Sequence, residues 1–412
     1  MIFPISRRVV VLLLPLVLAA APPAPDPARA GMDAAQLARI GPVLREFVER
    51  GQMSGAVTLV MRRGVLAHFE ATGWQDADAK KPMQRDTIFQ IMSMTKPVTG
   101  AAIMMLAEEG RLRLHDRVED HLPEFRGQMM IAGEENGVRT LRKPSRPITI
   151  RDLMTHTSGL GPAAPGIGDI MVRMDRTLAE ACLIYSQQPL LFEPGTRWNY
   201  SNTGIAVLGR IVEVLSGMSF EKFLETRIFQ PLGMTDTHVF LPVEKRPRLA
   251  PVFTVKDGKL VKAGADILGG DPLKYREGAK YSGPEHSLYS TAWDLAQFYQ
   301  MMLNGGVHGG KRLLSAASVR MMTQLHTGDL QAGHNPGTGF GLTWEVTKDV
   351  AGTLTGQSIG TYGHGGAFGT YGWVDPQQQI VGVFLMQLAG RPQPMRDAFV
   401  TITNTAVRET AQ

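Results

Sequence analysis

Apolar and polar positions along the 412-residue chain fall into three stretches of different character. In the first stretch, apolar residues at helical spacing predict a helix over residues 33–51. Two strand-like runs, 55–61 and 65–72, follow on either side of a turn signal. A second helical pattern covers residues 93–110. This stretch therefore predicts a helix on an antiparallel hairpin, followed by a second helix.

The middle stretch is mostly helical and rich in loops. Apolar periodicity predicts four helices there, over residues 150–156, 178–185, 204–215 and 220–229. Residues 127–146 are polar and predict a surface insertion.

Strand character returns in the last stretch. After a helix over residues 294–303, the pattern predicts three strands and a final amphipathic helix, over residues 341–346, 369–374, 380–387 and 394–408. Strands at both chain ends predict an α/β fold in which one antiparallel sheet, flanked by helices, is completed by both termini and carries an inserted all-helical subdomain. We predict the α/β sandwich subdomain at residues 31–110 and 285–412 and the mostly helical insertion at residues 111–284.

Composition narrows the function classes. The chain is 43% hydrophobic, which is enough for a large core, and its net charge is +5. Arg7, Arg8 and Arg29 against Asp26 account for two of the five charges, so the remainder is only mildly basic. Without a long basic run or a phosphate loop, no nucleic-acid partner is expected. Cys182 is the only cysteine, and its apolar surroundings favour a core position.

The N-terminus has the features of an export signal. Arg7 and Arg8 precede the apolar run 9–21, and Ala28-Arg29-Ala30 has the small-x-small pattern of a cleavage site. Residues 1–30 are therefore predicted to be a signal peptide, with a signal anchor as the alternative. The apolar run is too short to form a stable membrane span, so a periplasmic or secreted protein is expected. A partial twin-arginine pattern leaves the export route open.

Ser93 and Lys96 form the pattern with the most chemical content. Three residues apart at the start of a helix, their side chains share one face. A buried, neutral lysine can take the proton of a serine, and the free N–H groups at a helix start favour an oxyanion. The alternative is a chance match, because Ser219 and Lys222 repeat the pattern with Ser219 in the position of an N-cap. Pro97 is compatible with a first helical turn.

Two further segments contain residue types that such a site needs. Tyr200-x-Asn202 lies at a loop-to-helix junction, where the phenol can relay a proton, although a structural tyrosine is the alternative. The glycine-dense run 363–369 opens a strand, and a backbone N–H on its edge can stabilise an oxyanion. A tight bulge or bend is the alternative there.

In chain order, these patterns resemble the serine hydrolases related to class C β-lactamases, penicillin-binding proteins and bacterial esterases of the same fold. The resemblance covers nearly the whole mature chain and also includes residues 156–160, 193–195, 231–234, 290–291 and Asp294. It implies Ser93 as the acylated nucleophile, Lys96 as the general base and Tyr200 as the proton relay. It further implies substrate binding by Asn202, His364, Gly365, Gly366 and Ala367, with the backbone N–H groups of Ser93 and Ala367 as the oxyanion hole. An α/β sandwich with a helical insertion, and a cleft between them, is the implied fold.

The third motif departs from the Lys-Thr-Gly of β-lactamases. In its place stands His364-Gly365-Gly366, in which Gly365 has no hydroxyl and His364 is expected to be only partly charged near neutrality. Affinity for an anionic carboxylate should therefore be lower, and motifs of this type resemble those of the esterases and some D-amino-acid peptidases of the family. Glu285 and His286 replace a glycine-rich turn and are candidates for the cleft rim, with solvated loop positions as the default.

The remaining histidines show no paired metal spacing, so neither a metal nor another cofactor is expected. The leading hypothesis is an exported serine hydrolase that forms an acyl-enzyme on Ser93 and acts as a carboxylesterase on small or acyl esters. One alternative keeps this mechanism with a β-lactam or a D-amino-acid peptide as substrate. A third hypothesis is a catalytically silent binding or scaffold protein. The natural substrate and the oligomeric state do not follow from the sequence.

Overall fold

The computed structural model of the chain describes residues 21–161, 170, 174–264, 278–390 and 394–408. Residues 1–20, which make up most of the predicted signal peptide, lie outside the described residues.

The predicted cleavage point between Ala30 and Gly31 lies in a packed turn. Arg62 donates hydrogen bonds to the carbonyls of Ala30 and Gly31 at 3.1 and 2.7 Å, and the side chain of Ala30 is buried. The backbone N–H of Asp26 also donates to the carbonyl of Leu66 at 2.7 Å. The cleavage position therefore decides whether these contacts exist in the mature protein, and the signal peptide stays a prediction.

The largest sheet is formed so that its first and its last strands in chain order pair with each other near its middle. Gly55–Arg62 pairs antiparallel with Ile380–Leu385 on one side and with Val65–Asp76 on the other. Across the described part of this sheet, eight strands follow one another in the order Thr338–Phe340, Glu345–Thr347, Tyr362–Gly365, Tyr371–Asp375, Ile380–Leu385, Gly55–Arg62, Val65–Asp76 and Lys81–Pro82. All seven neighbouring pairs are antiparallel, so the predicted sheet completed by both chain ends is confirmed.

The strand Gly55–Arg62 is buried on both faces, which explains its nearly continuous apolar sequence. Because side chains alternate along a strand, Val57 and Leu59 pack into the core on one face, and Ala56 and Val60 into the core on the other. The helices Thr95–Glu108 and Ala292–Leu303 contribute to the first core. The helices Ile40–Glu49 and Pro394–Thr405 contribute to the second. The sheet is thus the middle layer of a helix–sheet–helix sandwich.

The predicted helices are present with small changes at their ends. The first is split into Ala34–Leu37 and Ile40–Glu49, and the segment after Phe220–Leu224 continues as a π-helical turn, Glu225–Phe229. The remaining described helices are Val118–His121, Ile150–Met154, Leu178–Ser186, Asn202–Ser216, Gln230–Leu232 and Ala316–Thr323. Short 3-10 turns occupy Met92–Met94, Pro123–Phe125, Val243–Arg248 and Val350–Thr353. Ser219 caps the helix that follows it and Cys182 is buried, as the sequence predicted.

The inserted stretch is not purely helical, which corrects the prediction of an all-helical subdomain. It contains the hairpin Met130–Glu135 with Val138–Arg142, which is the predicted polar surface insertion, and a second hairpin, Phe253–Lys256 with Lys259–Lys262. The second hairpin also pairs with Leu388–Ala389 near the C-terminus. The described residues also form two small strand pairs, Phe89–Gln90 with Tyr289–Ser290 and Val307–His308 with Lys311–Arg312. The boundaries of the predicted subdomains stay predictions.

The predicted strand over residues 341–346 is wrong. Two strands, Thr338–Phe340 and Glu345–Thr347, flank a tight turn in which the N–H of Gly341 donates to the carbonyl of Trp344 at 2.8 Å. The turn is apolar because the side chains of Leu342 and Trp344 are fully buried. An apolar run that alternates through a buried turn has the same pattern as a strand.

Within the described residues, no single helix has the length and apolar character needed to cross a membrane. The segments Asn202–Ser216 and Phe220–Leu232 meet that criterion only together, as a pair bent by 76°.

The close packing of Gly100 predicts a specific stability loss. A Cβ at Gly100 would lie 2.1 Å from Oγ1 of Thr343, which is fully buried and has a φ of +67°. We expect Gly100→Ala to lower the free energy of unfolding by about 1–3 kcal/mol, because the buried threonine cannot move away without strain. Denaturant unfolding measures this, with Gly133→Ala as the control, since a Cβ at Gly133 meets nothing within 4 Å. Equal stability of the two variants would contradict this packing.

Candidate active site

Ser93 lies in the short 3-10 turn Met92–Met94, which leads directly into the helix Thr95–Glu108. Met92 has a φ of +51°, a strained value for a residue other than glycine. The turn is held by its neighbours, because the N–H of Ile91 donates to the carbonyl of Leu288 at 2.9 Å. Pro97 is in the first turn of the helix, where proline is tolerated.

Lys96 is fully buried beneath Ser93. Its Nζ donates to Ser93 Oγ at 3.0 Å and to the backbone carbonyl of Glu285 at 2.8 Å. Burial lowers the pKa of Lys96 to about 7, although the Glu285 carboxylate opposes the shift. Near neutral pH, a large fraction of Lys96 is therefore an uncharged amine within hydrogen-bond distance of a serine hydroxyl.

Tyr200 lies beside this pair, with its ring centre 4.7 Å from Lys96 Nζ. The next residue, Ser201, caps the helix Asn202–Ser216 by accepting a hydrogen bond from the N–H of Gly204 at 3.0 Å. Asn202, the first residue of that helix, lines the same cleft as Tyr200. The N-cap thus determines where both side chains enter the cleft.

The loop that begins at His156 supports Tyr200. The imidazole of His156 packs on the Tyr200 ring at 4.5 Å between centres, and its Nδ1 accepts a hydrogen bond from the N–H of Ser201 at 3.2 Å. Burial, assisted by the nearby Lys96, lowers the pKa of His156 well below its usual value. His156 is therefore an uncharged support for the tyrosine.

The strand Tyr362–Gly365 and the residues after it form the opposite wall. A Cβ at Gly366 would lie 2.3 Å from the carbonyl oxygen of Ile91 and 2.1 Å from Oγ1 of Thr370, so this position requires glycine. Thr370 Oγ1 also donates to the Ile91 carbonyl at 3.0 Å. This close approach holds the segment that carries Ala367 against the turn that carries Ser93.

His364 is uncharged, which corrects the expectation of partial charge near neutrality. Burial, with the nearby Lys96 as the next cause, lowers its pKa to about 3. Its Nδ1 lies 2.8 Å from the carbonyl of Gly365 and must be the donor, so Nε2 is the unprotonated nitrogen. His364 Nε2 and Asn202 Oδ1 are buried polar atoms without a hydrogen-bond partner among the described residues. A bound substrate could satisfy both.

Glu285 and His286 are not solvated loop residues, so the default prediction for them is wrong. Glu285 is fully buried, and its Oε1 accepts a hydrogen bond from the hydroxyl of Tyr281 at 2.9 Å. His286 Nδ1 lies 3.0 Å from the same oxygen, and His286 lines the cleft. The pattern of residues 283–288 resembles an exposed turn, and only tertiary packing makes it an interior one.

The structure adds cleft residues that the sequence did not indicate. His334 Nδ1 lies 3.0 Å from Glu345 Oε2, and the His334 ring meets the Tyr200 ring edge-on at 4.8 Å between centres. Burial would raise the pKa of Glu345, but the hydrogen bond and charge of His334, with smaller contributions from its other neighbours, together outweigh burial and lower the pKa. Arg396 lies near Gly365 on the opposite wall. No local spacing links these residues to Ser93, so the sequence carried no signal for them.

Together these walls enclose a cleft of about 570 Å³. All eight predicted site residues meet there: seven line the cleft, and Lys96 lies below Ser93. In the described part of the chain, no group of three or more His, Cys, Asp or Glu side chains is arranged to hold a metal ion. The arrangement combines a serine, a buried amine and a phenol around a site of substrate size.

Comparison with known proteins agrees with the resemblance inferred from the motifs. The profile of the family described as Beta-lactamase matches residues 42–406. The chain is 31% identical over 372 residues to esterase EstB of Burkholderia gladioli, covering 85% of this chain and 90% of the esterase. It is 33% identical over 342 residues to penicillin-binding protein 4 of Amycolatopsis lactamdurans, covering 80% of each chain.

A solved structure has the same fold as this chain. The structure of EstCE1, described as a hydrolase with promiscuous acyltransferase activity, matches with a TM-score of 0.76 at 27% identity, covering 91% of this chain and 99% of EstCE1. The α/β fold predicted from the sequence is therefore confirmed. The chain belongs to the beta-lactamase family and is a serine hydrolase.

Proposed function

We propose that the protein is an esterase that cleaves small or acyl esters through an acyl-enzyme on Ser93. The main support for this proposal is the 3.0 Å contact between Ser93 Oγ and the buried amine of Lys96, whose pKa lies at about 7. A base with a pKa near the working pH is well matched to proton transfer.

The reaction begins when Ser93 Oγ attacks the ester carbonyl carbon while Lys96 takes the hydroxyl proton. The electron pair of the carbonyl moves onto its oxygen, which accepts hydrogen bonds from the backbone N–H groups of Ser93 and Ala367. When the intermediate collapses, the bond to the alcohol oxygen breaks and Tyr200 relays a proton to the leaving alcohol. A water molecule then attacks the acyl carbon and gives up a proton to the same groups. The bond between that carbon and Ser93 Oγ breaks and the proton passes to Oγ, which releases the acid and restores Ser93.

Two features of the cleft support an ester over an anionic substrate. His364 is uncharged, and Gly365 has no side-chain donor, so the third motif lacks both groups with which Lys-Thr-Gly engages a carboxylate. The names of the relatives EstB and EstCE1, an esterase and a hydrolase with acyltransferase activity, agree with this choice.

One observation favours a second candidate, a β-lactam or a D-amino-acid peptide with a free carboxylate. Arg396 Nη1 lies 3.9 Å from the place where a Cβ of Gly365 would be, so a guanidinium flanks the third motif. Arg396 also packs over the Tyr371 ring at 5.2 Å and pairs with Asp397 at 3.3 Å. The Asp397 carboxylate competes for its charge, which is why we rank this candidate second.

Acylation tests the role of Ser93. We expect an activated ester such as p-nitrophenyl butyrate to leave a butyryl group on Ser93, detectable by mass spectrometry. Ser93→Ala should lower hydrolysis by about 10³-fold or more, because the nucleophile is lost. Ser219→Ala is the matched control, since Ser219 has the same spacing to a lysine but only caps a helix. An active Ser93→Ala variant would refute the mechanism, and failure of a fluorophosphonate to label folded protein would favour the catalytically silent alternative.

The lowered pKa of Lys96 predicts the pH dependence of the reaction. A base acts only when unprotonated, so kcat/KM for a non-ionising ester should rise with pH and level off above about 7. With an ordinary lysine as the base, this rising limb of the pH profile would have its midpoint near pH 10.5. Steady-state rates measured from about pH 5 to about pH 9 test this, and a profile without a limb in that range would contradict Lys96 as the base.

A pair of substrates separates the two candidate functions. We expect Arg396→Ala to leave kcat/KM for a neutral phenyl ester within about twofold, because no charge is bound. For the same ester carrying a carboxylate, kcat/KM should fall if Arg396 binds it, and Arg396→Lys should keep part of that activity. If the wild-type protein turns over a chromogenic cephalosporin faster than the neutral ester, the esterase proposal is wrong. A preference for the anionic ester would overturn only the assignment of a neutral substrate.

A further inference from the structure

The turn formed by residues 283–287 lies directly behind the Ser93–Lys96 pair. It is closed by hydrogen bonds from the N–H groups of His286 and Ser287 to the carbonyl of Gly283, at 3.0 and 2.9 Å. Gly283 has a φ of +51°, which favours glycine. We refer to these five residues as the Glu285 turn.

Three side chains of the helix Thr95–Glu108, which follows Ser93, bind this turn and the residue after it. Thr99 Oγ1 donates to the Pro284 carbonyl at 2.7 Å, and Lys96 Nζ donates to the Glu285 carbonyl at 2.8 Å. Thr95 Oγ1 accepts a hydrogen bond from the N–H of Leu288 at 3.1 Å. The contact with Lys96 is therefore one of three along the helix, and it directs the amine between the turn and Ser93.

The same turn packs against the helix that follows Tyr200. A Cβ at Gly209, in the helix Asn202–Ser216, would lie 2.1 Å from Cγ of Pro284. The turn thus contacts both the helix that carries Lys96 and the helix that follows Tyr200. Because the interior is closely packed, a shift of either helix would displace the turn.

The side chain of Glu285 points into the protein interior. Its Oε1 is within 2.9 Å of the Tyr281 hydroxyl and 3.0 Å of His286 Nδ1, and its Oε2 is buried without a partner among the described residues. Burial alone would raise the pKa of this carboxyl, but the charge and hydrogen bond of His286, a backbone hydrogen bond and the charge of Lys96 together outweigh burial, and the pKa lies below its usual value. A negative charge is therefore held in the interior close to Lys96.

We propose that Glu285 is a positioning residue for Lys96, resting on the proposed role of Lys96 as base: its carbonyl orients the amine toward Ser93, and its buried carboxylate supplies the opposing charge. A fully buried amine without such a charge would be a weak base, because burial disfavours its protonated form. Glu285 moderates this effect and keeps Lys96 basic enough to take the serine proton.

The other groups around Lys96 do not supply this charge. His156 and His364 are uncharged at neutral pH, and the ring of Tyr200 lies 4.7 Å away. Around Glu285 itself lie Tyr281 and His286, then Tyr185, whose hydroxyl is 3.4 Å from that of Tyr281, and Cys182, whose thiol pKa is raised by burial. Among these described groups, Glu285 is the acidic one that raises the pKa of Lys96.

Glu285→Gln tests the proposal, because it removes the charge and keeps the carbonyl and the side-chain shape. We expect the limb of kcat/KM to move down by about one pH unit, since the buried amine loses its counter-charge. At a pH one unit below the wild-type midpoint, the wild-type protein keeps about a tenth of its plateau activity, and the variant should keep about a half of its own. The plateau of the variant should be lower, because its base is weaker. Glu285→Asp, which keeps a carboxylate, should keep the limb closer to that of the wild type.

The control is Glu213→Gln, which neutralises another largely buried carboxylate, paired with Arg210 away from the cleft. We expect it to leave the limb in place. A Glu285→Gln variant that loses activity with an unmoved limb would overturn the proposal, because a merely structural role lowers the plateau alone. If the wild-type protein itself shows no limb near pH 7, the proposed function fails instead.

A measurement on the unaltered protein covers the case in which Glu285→Gln does not fold. With glutamate labelled at its carboxyl carbon, the Glu285 resonance should show an ionised group through the whole range in which Lys96 titrates. A protonated Glu285 at neutral pH would overturn the proposal.

Discussion

The site depends on one constraint, the burial of an amine next to a serine hydroxyl. Lys96 has no exposed surface, and the fall of its pKa from 10.5 to about 7 corresponds to about 5 kcal/mol in favour of the uncharged form. That preference turns a residue that is ordinarily a cation into a base. Because Lys96 is buried, its pKa also depends strongly on the charges of its neighbours, and an unbalanced charge nearby would shift that pKa again.

The fold satisfies this constraint by bringing together distant segments of the chain. The helix Thr95–Glu108 packs against the helix Asn202–Ser216, the His156 loop holds Tyr200, and the strand ending at Gly365 closes the far wall. At the contact between the Ser93 turn and Gly366 there is no space for a side chain, so the two oxyanion donors proposed from the family resemblance belong to backbone segments that are pressed together. Rigid packing of this kind reduces the reorganisation that the reaction requires.

Residue spacing and periodicity predicted the features that depend on neighbouring residues in the sequence. Ser93 and Lys96 lie in contact because of their spacing across the start of a helix, and strand alternation at both chain ends predicted a sheet that the structure confirms. Burial is not local, and there the sequence failed: the charge of His364, the interior position of Glu285 and the turn at residues 341–344 depend on contacts between segments far apart in the chain. His334 and Arg396 reach the cleft for the same reason, from a loop and a helix without any motif.

The protonation state of Lys96 is the central claim, and it can be measured without a substrate. In protein with lysine labelled at its ζ nitrogen, the Lys96 resonance can be assigned by its loss in Lys96→Met and followed as the pH changes. A midpoint near 7 is the predicted result, because burial and the Glu285 carboxylate oppose each other at this amine. A midpoint near 10.5, the value of an ordinary lysine, would contradict the account.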